Sequence, residues 1–427
     1  MSGGRNGVAN LVQLATSRDV RNLWITGVFT GTNRWTEVLV IGIYTYMQTG
    51  SAFIVAIIAF LNTVPGALFG ILIGAAGERF DKRTLLLLGY SLLLLIMSVL
   101  CYLAFSDQLL LWHLGVGTFL SGAVGTMEYP IRRTLLGEIS GLKRASTALT
   151  CDVATGKITM FMGPLLGGVL MHNFGLHAFY LMAIGLLTFA LLFVSSIKKR
   201  PILSSQQTSH FIRSVRDGVT HARHNKPVLS VLFLTIILNF FGYSFISMIP
   251  VIGVSKLELD PVSVGLLSSM MGAGALVNLL LLAVFDSSKY FMRFFLGGTL
   301  ALLFSIILFS VTPWYGLALI VLFAGGLGEA GFSSMQATIT FTATAPEIRS
   351  RVMGLLVVCI GFGPLGMLHT GFMAHRLGAD VAIGIIALEG IIVTLICVWL
   401  LPALRRPDIE IYNEGAVLET DKATYKI

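Results

Sequence analysis

The stretch Gly74-Ala-Ala-Gly-Glu-Arg-Phe-Asp-Lys-Arg83 is a short polar segment between two apolar runs, each long enough to cross a bilayer. It combines small residues, acids and a cluster of bases, and it is too short to fold by itself. An α-helix needs about 20 mostly apolar residues to cross the hydrocarbon layer of a membrane. The sequence therefore predicts that this segment joins two membrane-spanning helices.

The composition extends this prediction to all 427 residues. Hydrophobic residues make up 55% of the chain and charged residues only 12%, whereas soluble proteins carry about 25% charged residues. Lipid cannot satisfy backbone polar groups, and a barrel would show short alternating segments, so helices are expected. The predicted fold is an all-α membrane protein with two six-helix bundles. Its twelve predicted spans are 22–47, 52–76, 84–105, 109–131, 147–171, 176–197, 228–250, 262–285, 291–312, 314–339, 351–373 and 380–402.

The basic residues indicate the topology. All but four of the 29 lysines and arginines lie in the two tails or in the loops that follow even-numbered spans. Basic loops are retained in the cytoplasm, so both termini are predicted to be cytoplasmic. In a membrane protein the net charge of +8 reports this orientation, and no binding of nucleic acid is expected.

The longest internal loop, residues 198–227, separates the two halves. It is basic and amphipathic from near His210, which favours binding to the anionic inner leaflet. A shift of 208 residues aligns Glu78 with Asp286 and Gly66 with Gly274, as in a diverged repeat. The predicted organisation is an N-terminal bundle (1–197), the linker (198–227), a C-terminal bundle (228–403) and a disordered cytoplasmic tail (404–427).

Polar and charged residues inside the spans are the candidate functional residues. A charge at the membrane centre costs about 2.5–3.5 kcal/mol on insertion scales, so it is expected to face a cavity or a partner. Lys157 follows Asp152 by five residues, about 140 degrees around a helix, so its partner is expected on another span. The candidate cavity residues are Asn33, Arg34, Glu37, Lys157, Asn239, Tyr243 and Glu329.

Glycines and prolines in mid-span predict helix bends, because proline removes a backbone donor and weakens the local helix. The predicted bend positions are Gly163, Pro164, Gly167, Gly168, Gly363 and Pro364.

The loop after span 2 resembles the signature of the major facilitator superfamily, in which glycine, an acid, an aromatic residue and several bases recur in order. The match is carried by Gly74, Gly77, Glu78, Arg79, Phe80, Lys82 and Arg83, with Glu78 in place of the commoner aspartate and Asp81 in place of a glycine. Residues 128–168 and 328–366 are most similar to the branch that contains the enterobactin exporter and macrolide efflux proteins. The arginine that drug:proton antiporters carry in mid-span 4 has no counterpart between Leu114 and Met127.

This resemblance implies a secondary transporter that works by alternating access. The expected function is proton-coupled efflux of a bulky amphipathic small molecule, such as a drug or a siderophore, by a monomer in a bacterial inner membrane. Glu37 and Glu329 are both candidates for the proton-coupling carboxylate. Import by the same machinery stays open, and a non-transporting membrane receptor is the alternative from another class. The residues expected to gate the path are Gly74, Gly77, Glu78, Arg79, Lys82, Arg83, Glu128, Arg132, Asp152, Asp286 and Arg351.

The sequence gives no indication of catalysis, because it has no nucleotide-binding loop, metal-ligand helix or convincing nucleophile and base. No enzyme activity, cofactor or metal site is therefore predicted. The four cysteines lie in or at spans without paired spacing, which is typical of small buried side chains. Five histidines near the predicted outer face raise the alternative of a metal or ferric-ligand site, although their spacing matches no metal motif. They are His113, His172, His177, His369 and His375.

Overall fold

In the computed structural model the described residues are 11–141, 144–199, 219–220, 222–284 and 290–405, without the side chains of 71–79, 283–284, 346–347 and 350. These residues form helices joined by turns. We number the long helices α1 to α12: α1 Arg18–Thr49, α2 Ala52–Arg79, α3 Lys82–Phe105, α4 Leu111–Ser140, α5 Ala145–Phe174, α6 Leu176–Ser195, α7 Lys226–Ser255, α8 Pro261–Val284, α9 Phe291–Val311, α10 Tyr315–Thr342, α11 Pro346–Leu377 and α12 Ala379–Leu400.

Within the described ranges, ten of these helices are long and apolar enough to cross a membrane. The other two, α1 and α4, have 32 and 30 residues but carry several charged side chains. They are helices at the predicted positions, and their length suffices for a span at 1.5 Å per residue. The all-helical class is thus confirmed, while the count of twelve spans stays a prediction.

Short connections make successive helices antiparallel. The fifth and sixth helices of each half are joined by a single glycine, Gly175 or Gly378, with φ of 77° and 88°. Only glycine adopts this backbone region without strain, so both halves use the same connection. We call the end of the molecule with these two glycines the distal end and the opposite end, with Arg18 and Ser140, the proximal end.

Each half packs mainly on itself. One hydrophobic core runs from Leu14 to Ile197, within α1–α6 and the residues beside them. A second core consists largely of α7–α12 side chains, with Val55, Ala56 and Met160 added from the first half. The two halves meet where α5 packs on α8, where α2 packs on α11 and where α1 contacts the distal part of α7.

Two helices of the C-terminal half are irregular. α7 changes from α-helix to a π-helical turn at Leu238–Gly242 and then to a 3₁₀ segment at Tyr243–Met248. α11 is interrupted at residues 361–362, between Pro346–Ile360 and Gly363–Leu377. This break lies directly before the predicted bend position Gly363–Pro364. By contrast, α5 stays helical through Gly163 and Pro164.

The opening stretch differs from the expected loop. α2 continues as a helix to Arg79, so only Phe80 and Asp81 connect it to α3. Asp81 caps α3, since its Oδ2 accepts hydrogen bonds from the backbone N–H of Thr84 at 3.0 Å and from Thr84 Oγ1 at 2.6 Å. A carboxylate at this position satisfies a free N–H of the first helical turn, which explains an aspartate where the family signature has glycine.

Candidate functional site

An ion pair joins the two halves at the centre of the molecule. Lys157 Nζ of α5 donates to both carboxylate oxygens of Glu329 in α10, at 2.8 and 2.6 Å. The hydroxyl of Tyr243, in the irregular part of α7, donates to Glu329 Oε1 at 3.2 Å. Both charged side chains are largely buried, with 16% and 6% of their surface exposed. The partner of Lys157 thus lies on another helix, in agreement with the spacing argument.

A second buried carboxylate, Glu37, lies inside the N-terminal half. Its Oε2 accepts a hydrogen bond from Ser121 Oγ of α4 at 2.7 Å, and the residue is 4% exposed. Arg34, one turn away on α1, interacts electrostatically with Glu37 but is itself exposed. Among the described residues no lysine or arginine lies within 4.0 Å of the Glu37 carboxylate. The two candidate coupling carboxylates therefore have different partners.

Glycines let the halves approach at the distal end. A methyl group at Gly168 of α5 would overlap the Pro261 carbonyl oxygen and lie 3.1 Å from Gly265 Cα of α8. A methyl group at Gly371 of α11 would likewise overlap the Ala56 side chain of α2. These small residues close the distal end by backbone packing, as in other membrane helix interfaces.

Helix α1 also packs closely on α5 beside Pro164. Thr36 Oγ1 of α1 donates to the carbonyl oxygen of Gly163 at 2.8 Å, and a methyl group at Gly163 would lie 2.6 Å from Trp35 Cβ. The neighbouring helix thus binds α5 where proline weakens it. A small, mostly apolar cavity lies next to this contact, between the halves. It is lined by Trp35, Val38, Leu39, Met160, Pro164, Ile246, Ile249, Pro250, Ser268 and Met271.

Contacts between the halves are concentrated from the centre to the distal end. α7 touches α1 with its distal segment, where Gly42 faces Pro250, and α11 packs on α2 with its distal segment Gly363–Leu377. The proximal segments Lys226–Ile237 and Pro346–Ile360 pack mainly on helices of their own half. In the described part of the chain the structure therefore has a closed distal end.

An ion network stabilises the proximal part of the N-terminal half. Arg132 of α4 pairs with Glu128 at 2.5 Å and with Asp152 of α5, and Arg133 Nε donates to Asp152 Oδ2 at 2.9 Å. The hydroxyls of Thr30 and Tyr90 both donate to Glu128 at 3.2 Å. Glu128, Arg132 and Asp152, predicted to gate, thus join helices of one half in this state.

Other predicted gate residues also have partners within one half. Lys82 pairs with Glu138 at 2.9 Å, and Arg83 donates to the carbonyl oxygens of Val194 and Ser195 in α6. Arg351 is partly buried in α11. The side chains of Gly74, Gly77, Glu78 and Arg79, and the whole of Asp286, lie outside the described residues, as do most of the basic linker and the tail from residue 406.

Two predicted cavity residues make no hydrogen bond across the halves among the described residues. Asn33 is 3% exposed and its Oδ1 has no hydrogen-bond partner among the described residues. Asn239 donates to the carbonyl oxygen of Thr235 in its own helix at 2.8 Å. Sequence reasoning missed Ser121, the partner of Glu37. The antiparallel register of α1 and α4 could have predicted this partner, because seven residues separate Glu37 from Thr30 and Ser121 from Glu128, and both pairs are in contact.

Two of the five predicted outer-face histidines each lie near a different carboxylate. His172 lies 3.7 Å from Asp260, and His369 lies 3.5 Å from Glu389. In the described ranges no group of three or more histidine, cysteine or acidic residues could hold a metal ion. All four cysteines are free thiols.

Two helical halves that meet around a central ion pair are the architecture found in two-bundle membrane transporters. The comparison with known families agrees with this class. The sequence profile of the Major Facilitator Superfamily matches residues 23–320, and the chain belongs to that family, whose members are transporters and not a class of enzyme.

The relatives confirm the resemblance to the macrolide efflux branch. Macrolide efflux protein A of Streptococcus pyogenes is 21% identical over 344 residues, which cover 79% of this chain and 84% of the relative. The protein of the same name from Enterococcus faecalis is 21% identical over 312 residues, covering 72% and 96%. These bacterial relatives make a bacterial membrane the plausible location.

Solved structures confirm the fold. A POT family transporter in complex with a thioalcohol-conjugated peptide has a TM-score of 0.73 at 12% identity and covers 92% of this chain and 98% of its own. The nucleoside transporter NupG has a TM-score of 0.70 at 12% identity, with coverage of 90% and 98%.

Proposed function

We propose that this chain is a proton-coupled exporter of a bulky amphipathic small molecule and that it works by alternating access. The observation that carries the proposal is the Lys157–Glu329 ion pair between α5 and α10. It joins the two halves at the depth where two-bundle transporters bind substrate. Buried charges at this depth are costly and mark transport pathways.

The proposed topology has twelve spans, with α1 and α4 included, and both termini in the cytoplasm. The proximal end is then the cytoplasmic face, and the bundles are 1–197 and 228–403, joined by the basic linker. The charged side chains of α1 and α4 support this arrangement, because Glu37 and Arg132 are bound to polar partners inside the N-terminal half. Such pairing lowers the cost of a polar helix in lipid.

Turnover requires that the distal contacts separate while the proximal end closes. The Lys157–Glu329 pair spans the two halves, so its release accompanies that change. The segment from Gly74 to Arg83 remains the proposed proximal gate, with Asp286 and Arg351 as its counterparts in the other half. The protein is proposed to act as a monomer without a cofactor.

Proton coupling is assigned to Glu37. Its carboxylate is buried with a hydroxyl as partner, and an ionised carboxylate in such a setting carries a desolvation cost that protonation removes. Glu329 is compensated by Lys157, so it is the weaker candidate. Glu37 also lies on the same helix as the exposed Arg34 and the cavity residue Trp35, which gives a short route from its protonation to the cavity.

The similarity to macrolide efflux protein A makes a macrolide the first substrate to test, with siderophores second. The test is uptake of a radiolabelled macrolide into proteoliposomes with an acidic interior. We expect accumulation that a protonophore abolishes. Glu37→Gln is expected to lose this pH-driven accumulation and to keep exchange of labelled for unlabelled macrolide. The matched control is Glu389→Gln, because Glu389 lies on the exposed face of α12 with Ile392 and Ile396.

Each part of the proposal has its own contradicting result. Normal pH-driven accumulation in Glu37→Gln removes Glu37 from coupling. Accumulation driven only by a gradient of the opposite sense favours proton-coupled import. Absence of macrolide flux, with flux of a siderophore in the same liposomes, rejects the macrolide and keeps the transporter.

A further inference from the structure

Two tyrosine hydroxyl groups, that of the buried Tyr180 and that of the partly exposed Tyr44, lie between Glu37 and the distal face, inside the N-terminal half. Glu37 and Tyr44 are seven residues apart on α1, two helical turns on one face. Tyr180 of α6 is fully buried, and its hydroxyl has no hydrogen-bond partner among the described residues. Buried polar groups are nearly always satisfied in native proteins, so a buried tyrosine hydroxyl without a partner requires an explanation.

The register of α1 and α6 places Tyr180 beside this face. Asn22 Nδ2 donates to Ser196 Oγ at 2.7 Å, and the ring of Phe29 lies 5.9 Å from the rings of both Phe193 and Phe189. As α1 advances toward the distal end, α6 runs back by the same number of residues. Continuing this antiparallel register brings Tyr180 to the level between Glu37 and Tyr44.

Electrostatic interactions agree with this placement. Tyr180 lies close enough to Glu37, to Tyr44 and to the Cys101 thiol of α3 for their charges to act on its hydroxyl, and Tyr44 lies in the same way near Asp107. Asp107 is exposed in the turn after α3, where its φ of 55° directs the chain across the distal face. From solvent to the buried carboxylate the order of these groups is Asp107, Tyr44, Tyr180 and Glu37, and among the described residues no hydrogen bond joins one to the next, so water is needed between them.

The Glu37 carboxylate faces these groups. Its hydrogen-bond donor, Ser121, belongs to α4 of the same half, and among the described residues the titratable or charged groups near it are Arg34 on its own helix and Tyr180 from α6. The side chains that line the central cavity from α1, namely Trp35, Val38 and Leu39, lie on other positions of the helix. The carboxylate is thus separated from the cavity by α1 itself.

We propose that protons reach Glu37 from the distal face through the N-terminal half, along Asp107, Tyr44 and Tyr180. This rests on the proposed coupling through Glu37. In each passage the Tyr180 hydroxyl gives its proton through water to the Glu37 carboxylate and accepts another through water from the Tyr44 side, so one proton moves and both tyrosines end neutral. Distal water supplies the proton. Protons and substrate then use separate paths.

The experiment follows the protonation of Glu37 without any substrate. Proteoliposomes hold the chain in one orientation, which the accessibility of a C-terminal tag verifies, and the pH is changed rapidly on one side only. Time-resolved infrared absorption of the protonated carboxyl group reports Glu37, identified as the signal lost in Glu37→Gln. Tyr180→Phe is expected to slow protonation from the distal side by about a hundredfold, the lower range for loss of a positioned proton-transfer group. The final amplitude is expected to stay unchanged.

Two variants make the test specific. Tyr44→Phe is expected to slow the same step, whereas Tyr102→Phe, at an exposed tyrosine of α3, is expected to leave it unchanged. Since Phe keeps the ring, thermal unfolding of Tyr180→Phe is expected to match the wild type. Wild-type rates from the distal side in both Tyr180→Phe and Tyr44→Phe, or a Glu37 signal that is absent, would overturn the path. A Tyr180-dependent signal without macrolide transport supports the path and rejects only the proposed substrate.

Discussion

Glu37 and Glu329 are two buried carboxylates at similar depth, one in each half, and they differ in what they bind. Glu329 binds Lys157 of the other half, together with Tyr243. Glu37 binds Ser121 of its own half and has no cation within ion-pair distance among the described residues. A carboxylate with a bound cation holds two elements together. A carboxylate with a hydroxyl can change its charge without losing a partner.

This difference assigns separate tasks to the two halves. In the proposed mechanism the Lys157–Glu329 pair links the two halves and separates when they rearrange. The Glu37 site is proposed to respond to protons in either arrangement, because both of its helices belong to one half. Substitutions at the two sites are therefore expected to have effects of different size and kind.

The largest effect is expected from Lys157→Ala. It leaves Glu329 buried without its cation, which costs about 3–5 kcal/mol in comparable buried pairs. Denaturant unfolding in detergent measures the loss. The double variant Lys157→Met with Glu329→Met is expected to recover most of it, because no unpaired charge remains. Wild-type stability in the single variant would show that the pair does not form in detergent.

Ser121→Ala is expected to have the next largest effect. It removes the hydroxyl that donates to Glu37 and leaves a buried acceptor unsatisfied, at a cost of about 1–3 kcal/mol. The same unfolding assay applies, with Ser98→Ala as the control, since that hydroxyl bonds only to the Leu94 carbonyl of its own helix. Equal losses of stability in Ser121→Ala and Ser98→Ala would contradict the claim that the Ser121 hydroxyl satisfies a buried carboxylate.

Glu37→Gln is expected to change stability by less than about 1 kcal/mol, because it keeps the size of the side chain and creates neither a cavity nor an unpaired charge, the sources of large losses. The amide oxygen still accepts from Ser121. The difference in unfolding free energy between Glu37→Gln and Lys157→Ala compares the two carboxylate sites most directly. A loss above the Lys157→Ala value in the unfolding assay contradicts it.

Asp260 lies in the turn before α8, so it is a carboxylate outside the membrane-spanning helices to compare with Glu37 and Glu329. The Ser263 hydroxyl, with backbone N–H groups and His172, lowers its pKa. A lowered pKa contributes stability above the unfolded value of about 3.9 and loses it as pH falls through the folded value. Because Asp260 is largely exposed, the contribution is expected below about 1 kcal/mol. Asp260→Asn is expected to abolish only this small acid-dependent part, measured by thermal unfolding at pH 7 and at acidic pH.

Much of this fold could be predicted from the sequence, because apolar length and the distribution of bases are local properties. The positions of Glu37, Lys157 and Glu329 inside membrane spans were predicted from the same local pattern. Their partners did not, since Lys157 and Glu329 are 172 residues apart and meet only through the packing of α5, α8 and α10. The sequence predicted a loop where α2 continues to Arg79, because glycines in a polar stretch favour a loop. In the structure Asp81 caps the start of α3, so only two residues connect the helices.

The change of winding in α7 has a mechanical consequence. A helix that passes from α through π to 3₁₀ within Leu238–Met248 has already exchanged its regular bonds for weaker ones, so it can bend there at little further cost. The interruption of α11 at residues 361–362 lies at a comparable depth. The distal segments of these two helices can therefore bend away from α1 and α2, while the remainder of the C-terminal half stays in place.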